Sequence, residues 1–320
     1  MKSMNERSYE IAQRMATDAD LLNISGEKLT CGATVIDAGV KVSGSLEAGR
    51  LFSKACLGGL AKVDFCSLDF GHFTLPGVSI TANNPVKACM AAQYAGWFVD
   101  VKAKGQKAYQ AMGSGPARSL YGKEALLQEL GIQEKADMAV LALESHKLPD
   151  NAVASWVAEK CSVSPEQVTF LVAPTASLAG SVQIAARAVE TGLHKMFEVG
   201  FDISSIQSGF GVCPIAPIAQ DNLHAIGRTN DAVLYGGQAW YTAKTDTDKI
   251  EDIFEKLPSS ASKDYGTPFY ELFQRNNFDF YKIDPLLFSP AEVYINELTS
   301  GRTFHAGRVN PEILQKSMLS

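Results

Sequence analysis

Apolar and polar residues alternate along this chain with two periods, which predict helices and strands in a mixed order. Over residues 5–22, Ile11, Met15 and Leu22 fall on one side of a predicted amphipathic helix. A glycine-rich loop is predicted at 208–214. A helix is predicted to start in 44–52 and to run towards Gly58 and Gly59, and further helices are predicted at 85–95, 150–161 and 216–226 and around Arg187 and Glu190. Strands are predicted at 35–40, 63–67, 78–82, 97–103, 136–143, 168–173 and 232–243, and a hairpin at 291–308.

This mixed order of elements indicates the fold class. The long, regular alternation of a barrel is missing, and no internal repeat or low-complexity tract is present. We therefore expect an α+β protein made of two α+β subdomains packed around a central cleft. A chain of 320 residues is long enough to bury two such cores. No shift in composition marks the boundary between the subdomains, so we expect residues 1–320 to form a single catalytic unit.

One segment, residues 174–192, carries the strongest candidates for catalysis. Arg187 and Glu190 are its two charged residues, set three positions apart among small and apolar side chains. This spacing predicts that both lie on one face of a helix, which follows a tight turn at Thr175 and Ser177. Burial favours a neutral carboxylic acid and a guanidinium favours a carboxylate, so the pair is suited to proton transfer. The alternative is a weak ion pair on an exposed helix surface.

Composition and charge narrow the classes of protein that remain. The chain is 46% hydrophobic and 20% charged, with a net charge of −6 and a pI near 5.5. No basic stripe is present, so nucleic acid is not an expected partner. The first ten residues lack the apolar core of a signal peptide, and no apolar run approaches the roughly 18 residues of a membrane span. We therefore expect a cytoplasmic protein with no membrane partner.

The cysteines and histidines predict neither a disulfide framework nor a metal site. No Cys-x-x-Cys pair occurs, and no histidine lies at metal-ligand spacing from a cysteine. Because no export signal is predicted, we expect reduced and mostly buried thiols. The cysteines are Cys31, Cys56, Cys66, Cys89, Cys161 and Cys213.

Residues 113–118 match the start of a dinucleotide-binding fingerprint but not its end. Gly113-Ser114-Gly115 is followed by Arg118 where the last glycine belongs, and P-loop and nucleophile-elbow motifs are missing from the sequence. Two interpretations remain: backbone N–H groups and Arg118 bind an anion, or the segment is an ordinary tight turn with a surface arginine. A second polar patch, Thr229-Asn230-Asp231, is either a ligand site or a turn between strands.

Several longer motifs occur in order along nearly the whole chain. They are Gly-Ala-Thr-Val-Ile-Asp at 32–37, Gly-Ser-Leu-Glu-Ala-Gly at 44–49, Gly-Gly-Leu-Ala at 58–61, Ala-Met-Gly-Ser-Gly-Pro-Ala-Arg at 111–118, Val-Ala-Pro-Thr-Ala-Ser at 172–177, Gly-Ser-Val-Gln-Ile at 180–184, Gly-Arg-Thr-Asn-Asp at 227–231, Asp-Tyr-Gly-Thr-Pro-Phe-Tyr-Glu at 264–271 and Phe-Tyr-Lys-Ile-Asp-Pro at 280–285. Together with Arg187 and Glu190, they resemble the methenyltetrahydromethanopterin cyclohydrolase family.

The resemblance implies a cytoplasmic homotrimeric enzyme of one-carbon metabolism. It would reversibly hydrolyse the 5,10-methenyl bridge of tetrahydromethanopterin, or of its dephosphorylated form, to the N5-formyl derivative. No metal and no cofactor besides this pterin carrier is implied. Carried over by position, Glu190 is the catalytic carboxylate that activates water, Arg187 is its partner, and Phe288 is the aromatic residue that contacts the carrier. The other residues expected to bind the carrier are Gly113, Ser114, Gly115, Arg118, Thr175, Ser177, Asn230 and Asp231.

One position departs from the family pattern. Tyr94 precedes Ala-Gly-Trp, where archaeal members tend to carry lysine, so no role of that lysine is transferred to this chain. The difference suits a bacterial, methylotroph-type member that uses a carrier with a shorter tail. Two alternatives stay open: another pterin- or folate-dependent one-carbon enzyme, such as a transferase or dehydrogenase, or a carrier-binding protein without catalytic activity.

Overall fold

The computed structural model describes residues 2–102 and 107–319. Its α-helices are α1 (Met4–Thr17), α2 (Ala19–Leu22), α3 (Leu46–Cys56), α4 (Ala117–Tyr121), α5 (Ala125–Glu129), α6 (Asn151–Cys161), α7 (Leu178–Ala185), α8 (Ala188–Glu198), α9 (Asn222–Gly236), α10 (Thr247–Glu251), α11 (Phe269–Arg275) and α12 (Pro311–Met318). Its strands are β1 (Ser25–Lys28), β2 (Thr34–Asp37), β3 (Ala61–Asp69), β4 (Thr74–Ala82), β5 (Trp97–Val101), β6 (Tyr109–Ser114), β7 (Ala139–Glu144), β8 (Val168–Ala173), β9 (Ile206–Pro214), β10 (Gln238–Ala243), β11 (Glu292–Glu297) and β12 (Thr303–Gly307). A π-helix covers Val86–Gln93, and short 3₁₀ turns complete the chain.

The chain forms two compact units, each assembled from two separate stretches of sequence. Unit 1 comprises residues 1–61 and 87–183, and unit 2 comprises residues 62–86 and 184–320, in each case as far as they are described. Each unit contains one mixed six-stranded sheet and several helices, which confirms the expected α+β class with two subdomains. The chain passes between the units three times, so the boundary between them is not a single point in the sequence.

The sheet of unit 1 has the strand order β1-β2-β8-β7-β6-β5 and a parallel centre formed by β2, β8 and β7. Helices cover both faces of this centre: α1 and α3 pack on one side, whereas α4 and α6 pack on the other. All six residues of β8 are buried as a result, and so are the first five of β7. The continuous apolar runs predicted there as buried strands are confirmed, as expected for a parallel sheet covered on both faces.

The sheet of unit 2 has the order β12-β11-β10-β9-β4-β3 and is antiparallel except for the pairing of β10 with β11. Helix α8 lies on one face of this sheet, against β9 and β10. Gly209 and Gly211 of β9 make the close approach possible: a Cβ atom would lie 2.7 Å from Val189 Cγ1 at Gly209 and 2.9 Å from Val189 Cγ2 at Gly211. Both distances are shorter than carbon atoms tolerate, so these positions exclude larger residues.

Three predictions of local structure in unit 2 are wrong. The predicted glycine-rich loop at 208–214 belongs to β9, of which it forms all but the first two residues, because its glycines serve helix packing instead of a turn. The helix predicted at 216–226 begins at Asn222, where the Asp221 side chain caps it, and continues to Gly236. The strand predicted from residue 232 therefore starts at Gln238. The hairpin at 291–308 is confirmed as β11 and β12.

A turn also divides the helix predicted to contain both Arg187 and Glu190. Helix α7 ends at Ala185, and Arg187 is the residue that immediately precedes α8. The Arg187 N–H donates to the Ile184 carbonyl at 3.0 Å, a bond of turn length, and no Gly or Pro marks the break. The strand predicted at 97–103 is confirmed for Trp97–Val101, and Ala103 lies outside the described residues.

The contact between α8 and β10 yields a first prediction. Tyr241 Oη donates to the Val189 carbonyl at 2.8 Å, and a Cβ atom at Gly192 would overlap this hydroxyl group. Gly192→Ala should therefore lower the free energy of unfolding by about 1–3 kcal/mol, although alanine favours helices. In a Tyr241→Phe background the same change should cost at least about 1 kcal/mol less, because the overlapping oxygen is gone.

Urea unfolding of the four proteins in this cycle measures the coupling. Gly26→Ala is the control, because its Cβ would lie 3.9 Å from the nearest atom. Equal costs of Gly192→Ala in the two backgrounds would contradict the assigned contact.

Candidate functional site

The start of α8 brings the two predicted catalytic side chains together. Glu190 is the third residue of the helix and is 4% exposed, and Arg187 precedes the first helical residue. Arg187 Nη1 lies 3.5 Å from Glu190 Oε2, and the two side chains are 12% and 5% exposed. The alternative of a pair on an exposed surface is therefore wrong. A carboxylate in the first helical turn is also stabilised by the unpaired N–H groups of the helix N-terminus.

Contacts with β9 and β10 and hydrogen bonds within the helix fix the first turn of α8. Ala188 and Val189 are buried against the β9 glycines, and the Val189 carbonyl accepts the Tyr241 hydroxyl. The hydroxyl and the N–H of Thr191 both donate to the Arg187 carbonyl, at 3.1 and 2.8 Å. These contacts hold the Glu190 backbone in place, so its carboxyl group has a defined position in unit 2.

A buried cation farther along α8 was missed by the sequence analysis. Lys195 is 1% exposed, and its ammonium group donates to the carbonyl of Leu286. Burial lowers the pKa of Lys195 to about 8, against the attraction of the Asp284 carboxylate, which raises it. Lysine is the residue type least often buried, and only the apolar neighbours along the helix could have indicated it.

This lysine fixes the segment that precedes Phe288, the aromatic residue expected to contact the carrier. Phe288 follows a single 3₁₀ turn, Pro285–Leu287, which includes the carbonyl bound by Lys195. It is half-buried, with its ring centroid 5.8 Å from that of Phe269 and 6.2 Å from that of Phe280. Phe288 therefore belongs to an aromatic cluster of unit 2 and keeps one part of its ring accessible. Its contact with the carrier stays a prediction.

Thr175 and Ser177 lie at the carboxyl end of the parallel strands in unit 1. The Thr175 hydroxyl donates to the carboxylate of Glu144, the last residue of β7. Ser177 Oγ donates to the Pro174 carbonyl at 2.7 Å and accepts the Gly180 N–H at 3.0 Å, so it caps α7 as the tight turn predicted. The half-buried Glu144 is a polar neighbour that the sequence analysis did not identify, because one acidic residue after an apolar run is common.

The structure gives the residues at 113–118 a different local setting from the one predicted. Gly113 and Ser114 lie within β6 and are paired with β5 and β7, and Gly115 has a positive φ of 99°. The Gly115 N–H donates to the Ala92 carbonyl at 2.7 Å. The expected turn with successive inward N–H groups is therefore wrong, because the strand pairing and this bond engage the backbone.

Arg118 is wholly buried, so the interpretation as a surface arginine is also wrong. Its Nη2 lies 2.6 Å from Glu124 Oε2, and its Nη1 donates to the carbonyls of Met90 and Ala92 at 3.0 and 3.3 Å. The guanidinium thus satisfies carbonyl groups in the last turn of the π-helix. Its carbon lies 5.2 Å from the ring centre of Tyr94, which gives this residue a cation–π neighbour. A carrier contact for Arg118 is untested.

Asn230 and Asp231 lie inside α9, so the alternative of a turn between strands is wrong. The Asn230 side chain donates to the Ile226 carbonyl at 2.8 Å. Asp231 is 1% exposed and accepts bonds from the Phe269 N–H and the Ser317 hydroxyl, at 2.8 and 2.6 Å. Burial raises the pKa of Asp231 to about 7, although both bonds oppose this shift. The contacts show that Asp231 joins α9 to α11 and α12.

The predicted site residues thus fall into separate groups. Unit 1 holds Thr175 beside Glu144, Ser177 at the start of α7, and the 113–118 segment one strand away from β8. Unit 2 holds the pair at the start of α8, Phe288, and the two polar residues of α9. Each of the six cysteines is a free thiol and four are buried, as expected. The described residues contain no group of three His, Cys, Asp or Glu side chains placed for a metal ion. No helix in the described ranges combines the length and apolar character needed to cross a membrane.

The fold and the pair define a two-unit α+β protein with a buried carboxylate beside a guanidinium, and comparison with known proteins specifies the family. Residues 3–318 match the family described as Cyclohydrolase (MCH), and the chain belongs to this family. The chain is 48% identical to the methenyltetrahydromethanopterin cyclohydrolase of Methanocaldococcus jannaschii over 323 residues, covering 99% of this chain and 98% of the relative. Proteins of the same name from Methanothermobacter marburgensis and Methanococcoides burtonii are 48% and 44% identical, with 99% of this chain covered in both cases and 99% and 98% of the relatives.

The buried Asp231 yields a prediction about stability. The folded chain keeps the Asp231 proton up to about pH 7, whereas an unfolded aspartate loses it near pH 4. Between these values the folded state binds more protons, so this residue lowers stability as pH rises. Asp231→Asn cannot ionise and keeps an acceptor oxygen. Its stability relative to wild type should therefore increase from pH 4 to pH 7, by at most about 1.4 kcal/mol per pH unit, and level off above pH 7.

Urea unfolding of both proteins at several pH values between 4.5 and 8 measures this difference. Asp20→Asn, at an exposed carboxylate, is the matched control for the same substitution outside the core. A stability difference for Asp231→Asn that does not change with pH would show that the buried carboxyl group does not titrate in this range.

Proposed function

We propose that this chain reversibly hydrolyses 5,10-methenyltetrahydromethanopterin, or a carrier with the same pterin and a different tail, to the N5-formyl derivative. The observation that carries the proposal is the buried carboxylate of Glu190, paired with Arg187, in a chain that belongs to the cyclohydrolase family. Its relatives at 44–48% identity, matched over nearly their full lengths, bear the name of this activity. The pair supplies the acid–base group that such a hydrolysis requires.

The chemistry begins with a substrate that is already electrophilic. The N5–C–N10 unit is a cation of the amidinium type, so a base and a positioned water suffice for attack at its carbon. Glu190 takes a proton from the water as the new C–O bond forms, which leaves a neutral adduct bearing a hydroxyl group. Arg187 donates to the carboxylate and fixes its direction.

The second half of the reaction returns that proton. The protonated Glu190 donates it to N10 as the C–N10 bond breaks, and the adduct's hydroxyl proton goes to solvent as the formyl C=O forms. One water is consumed and one proton is released overall, so the positive charge of the substrate leaves as that proton. In the reverse direction Glu190 acts first as base towards N10–H, which is why one group serves both directions.

Several features beyond the chemistry are part of the same proposal. The carrier contacts Phe288 and the motif residues around Thr175 and Ser177, and residues 1–320 act as one catalytic unit. We also propose a homotrimer in the cytoplasm, with the pterin as one-carbon carrier and no additional cofactor. The free thiols support an intracellular location.

One assay separates this function from its alternatives. The purified chain is added to the methenyl carrier, and the methenyl absorbance is followed while the product is identified by mass. Hydrolysis removes the absorbance and gives the N5-formyl carrier without any second substrate. A transferase or dehydrogenase would leave the absorbance unchanged until its second substrate is added. A carrier-binding protein without activity would shift the absorbance at most in proportion to its own concentration.

Glu190→Gln is the most direct test of the general base. The amide keeps the shape of the side chain but cannot accept a proton, so turnover should fall about 10²- to 10⁴-fold while the fold persists. Glu198→Gln is the matched control, because Glu198 ends the same helix and its side chain is 43% exposed. The control should retain wild-type turnover. Near-full activity of Glu190→Gln would remove Glu190 from the mechanism.

Arg187→Ala tests whether the guanidinium orients the general base. Without it, the Glu190 carboxylate loses the charged partner at its side, so the maximal rate should fall by up to about 10²-fold while the fold persists. Arg187→Lys keeps the charge but not the planar fork of the guanidinium, so it should restore the maximal rate only in part. A wild-type rate in Arg187→Ala would remove the arginine from the mechanism.

A further inference from the structure

Helix α8 reaches the turn Pro285–Leu287 through one buried side chain. Lys195 lies in the last turn of α8, and its ammonium group donates to the Leu286 carbonyl, outside the helix. A cation in the last turn of a helix ordinarily compensates the carbonyl groups of that helix. Here the ammonium group reaches across to a carbonyl of another segment, so Lys195 links α8 to the turn.

A second set of hydrogen bonds holds the start of the same turn. The Asp284 N–H donates to Asp264 Oδ2 at 2.8 Å, and Asp284 Oδ2 accepts the Ser262 hydroxyl at 2.7 Å. Asp284 Oδ1 accepts the Leu286 N–H at 3.0 Å, so the same side chain caps the turn. The N–H and the carbonyl of Leu286 are therefore both engaged, and these bonds fix the conformation of the turn.

Phe288 follows the turn directly and lies between two buried residues. Leu287 and Ser289 are both buried, and the Ser289 hydroxyl donates to the Leu257 carbonyl. The Phe288 side chain itself is half-buried, so part of its ring stays accessible. Since the backbone is held on both sides, the position of this ring depends on the turn, and the turn depends in part on Lys195.

The burial of Lys195 indicates a role other than stability. Burying an ammonium group costs free energy, and this cost lowers the pKa of Lys195 to about 8 against the attraction of the Asp284 carboxylate. Even buried ion pairs, which compensate part of such a cost, can often be replaced by apolar side chains without loss of stability. The lysine therefore contributes more to the geometry of the turn than to the stability of unit 2.

We propose that Lys195 is a positioning residue for the one-carbon carrier, which acts through the turn Pro285–Leu287 on the ring of Phe288. The inference rests on the proposed function, in which Phe288 contacts the carrier. It assigns part of the affinity for the carrier to a residue outside the catalytic pair. A displaced ring weakens binding in the ground state and the transition state alike, so its loss raises KM while kcat is kept.

Steady-state kinetics with the methenyl carrier test the proposal, together with the Kd of the N5-formyl carrier from calorimetry. Lys195→Met should raise KM and Kd by about 2- to 10-fold, as expected for one displaced aromatic contact, with kcat close to that of wild type. Its midpoint of urea unfolding should not fall. Lys249→Met is the matched control, because its ammonium group is exposed, and it should leave all four values unchanged.

A double-mutant cycle with Phe288→Ala shows whether Lys195 acts through the ring. Phe288→Ala alone should raise KM and Kd, and Lys195→Met should cause no further increase in that background. An effect of Lys195 on the stability of α8, or directly on Glu190, would persist without the ring. Equal effects of Lys195→Met in both backgrounds, or a fall in kcat with an unchanged KM, would therefore overturn the proposal.

Lys195→Gln is the second variant if Lys195→Met fails to fold, as judged by circular dichroism. Glutamine keeps a polar end in the buried position, but it has no charge and is one bond shorter, which weakens the bond to the Leu286 carbonyl. The same increase in KM and Kd is expected, and it should again be absent in the Phe288→Ala background. Loss of folding in both variants would show a structural role and overturn the proposal.

The two readouts distinguish this inference from the proposed function. An unchanged Kd in a folded Lys195 variant, beside a raised Kd in Phe288→Ala, would overturn this inference alone. An unchanged Kd in Phe288→Ala would overturn both the proposed carrier contact and this inference. A chain that binds the carrier with the expected dependence on Lys195 but does not hydrolyse it would support this inference and refute the proposed activity.

Discussion

Helix α8 lies against its sheet at a distance that leaves no room for side chains at three positions. Gly209 and Gly211 of β9 leave room for the Val189 side chain of α8, and Gly192 of α8 leaves room for the Tyr241 hydroxyl of β10. The resulting contact fixes the backbone on either side of Glu190, so the buried position of its carboxyl group follows from the packing. A side chain at any of the three glycines would lift the helix and move the carboxyl group with it.

Burying charged groups on one helix requires compensation at both of its ends. Glu190 lies in the first turn of α8, where Arg187 and the helix N-terminus favour a carboxylate, and Lys195 lies in the last turn, where carbonyl groups favour a cation. The Leu286 carbonyl and the nearby Asp284 carboxylate provide further compensation for Lys195. The same helix therefore positions the proposed base and, through Lys195, the turn that leads to Phe288. Helix α8 thus holds both Glu190 and the turn before Phe288, the two parts of the proposed site in unit 2.

Local patterns predicted the elements whose stability is decided locally or by continuous burial. Strand β8 has the predicted bounds, α6 starts one residue after its predicted first residue and ends where predicted, and the hairpin at 291–308 is formed by β11 and β12. Failures occurred where long-range packing determines a residue's role. The glycines of β9 are typical of a loop when only the sequence is considered, and their role becomes clear only from the helix that packs on them. Likewise, Arg118 looks like a surface residue until Glu124 and the π-helix carbonyls surround it. The proposed catalytic pair was identified from its spacing, although a turn and not one continuous helix brings the two side chains together.

Strand β9 shows how one short segment carries two separate constraints. Its period of two places Gly209 and Gly211 beneath α8 and turns Phe210 to the opposite face. The glycines are needed because the helix must approach closely, whereas the Phe210 side chain remains 41% exposed on the other face. The mixture of glycine and aromatic residues that suggested a loop therefore reflects the two faces of one strand: the glycines face α8 and Phe210 faces the other side. Changes at the glycines act on the proposed catalytic helix, whereas changes at Phe210 act on the other face of the sheet.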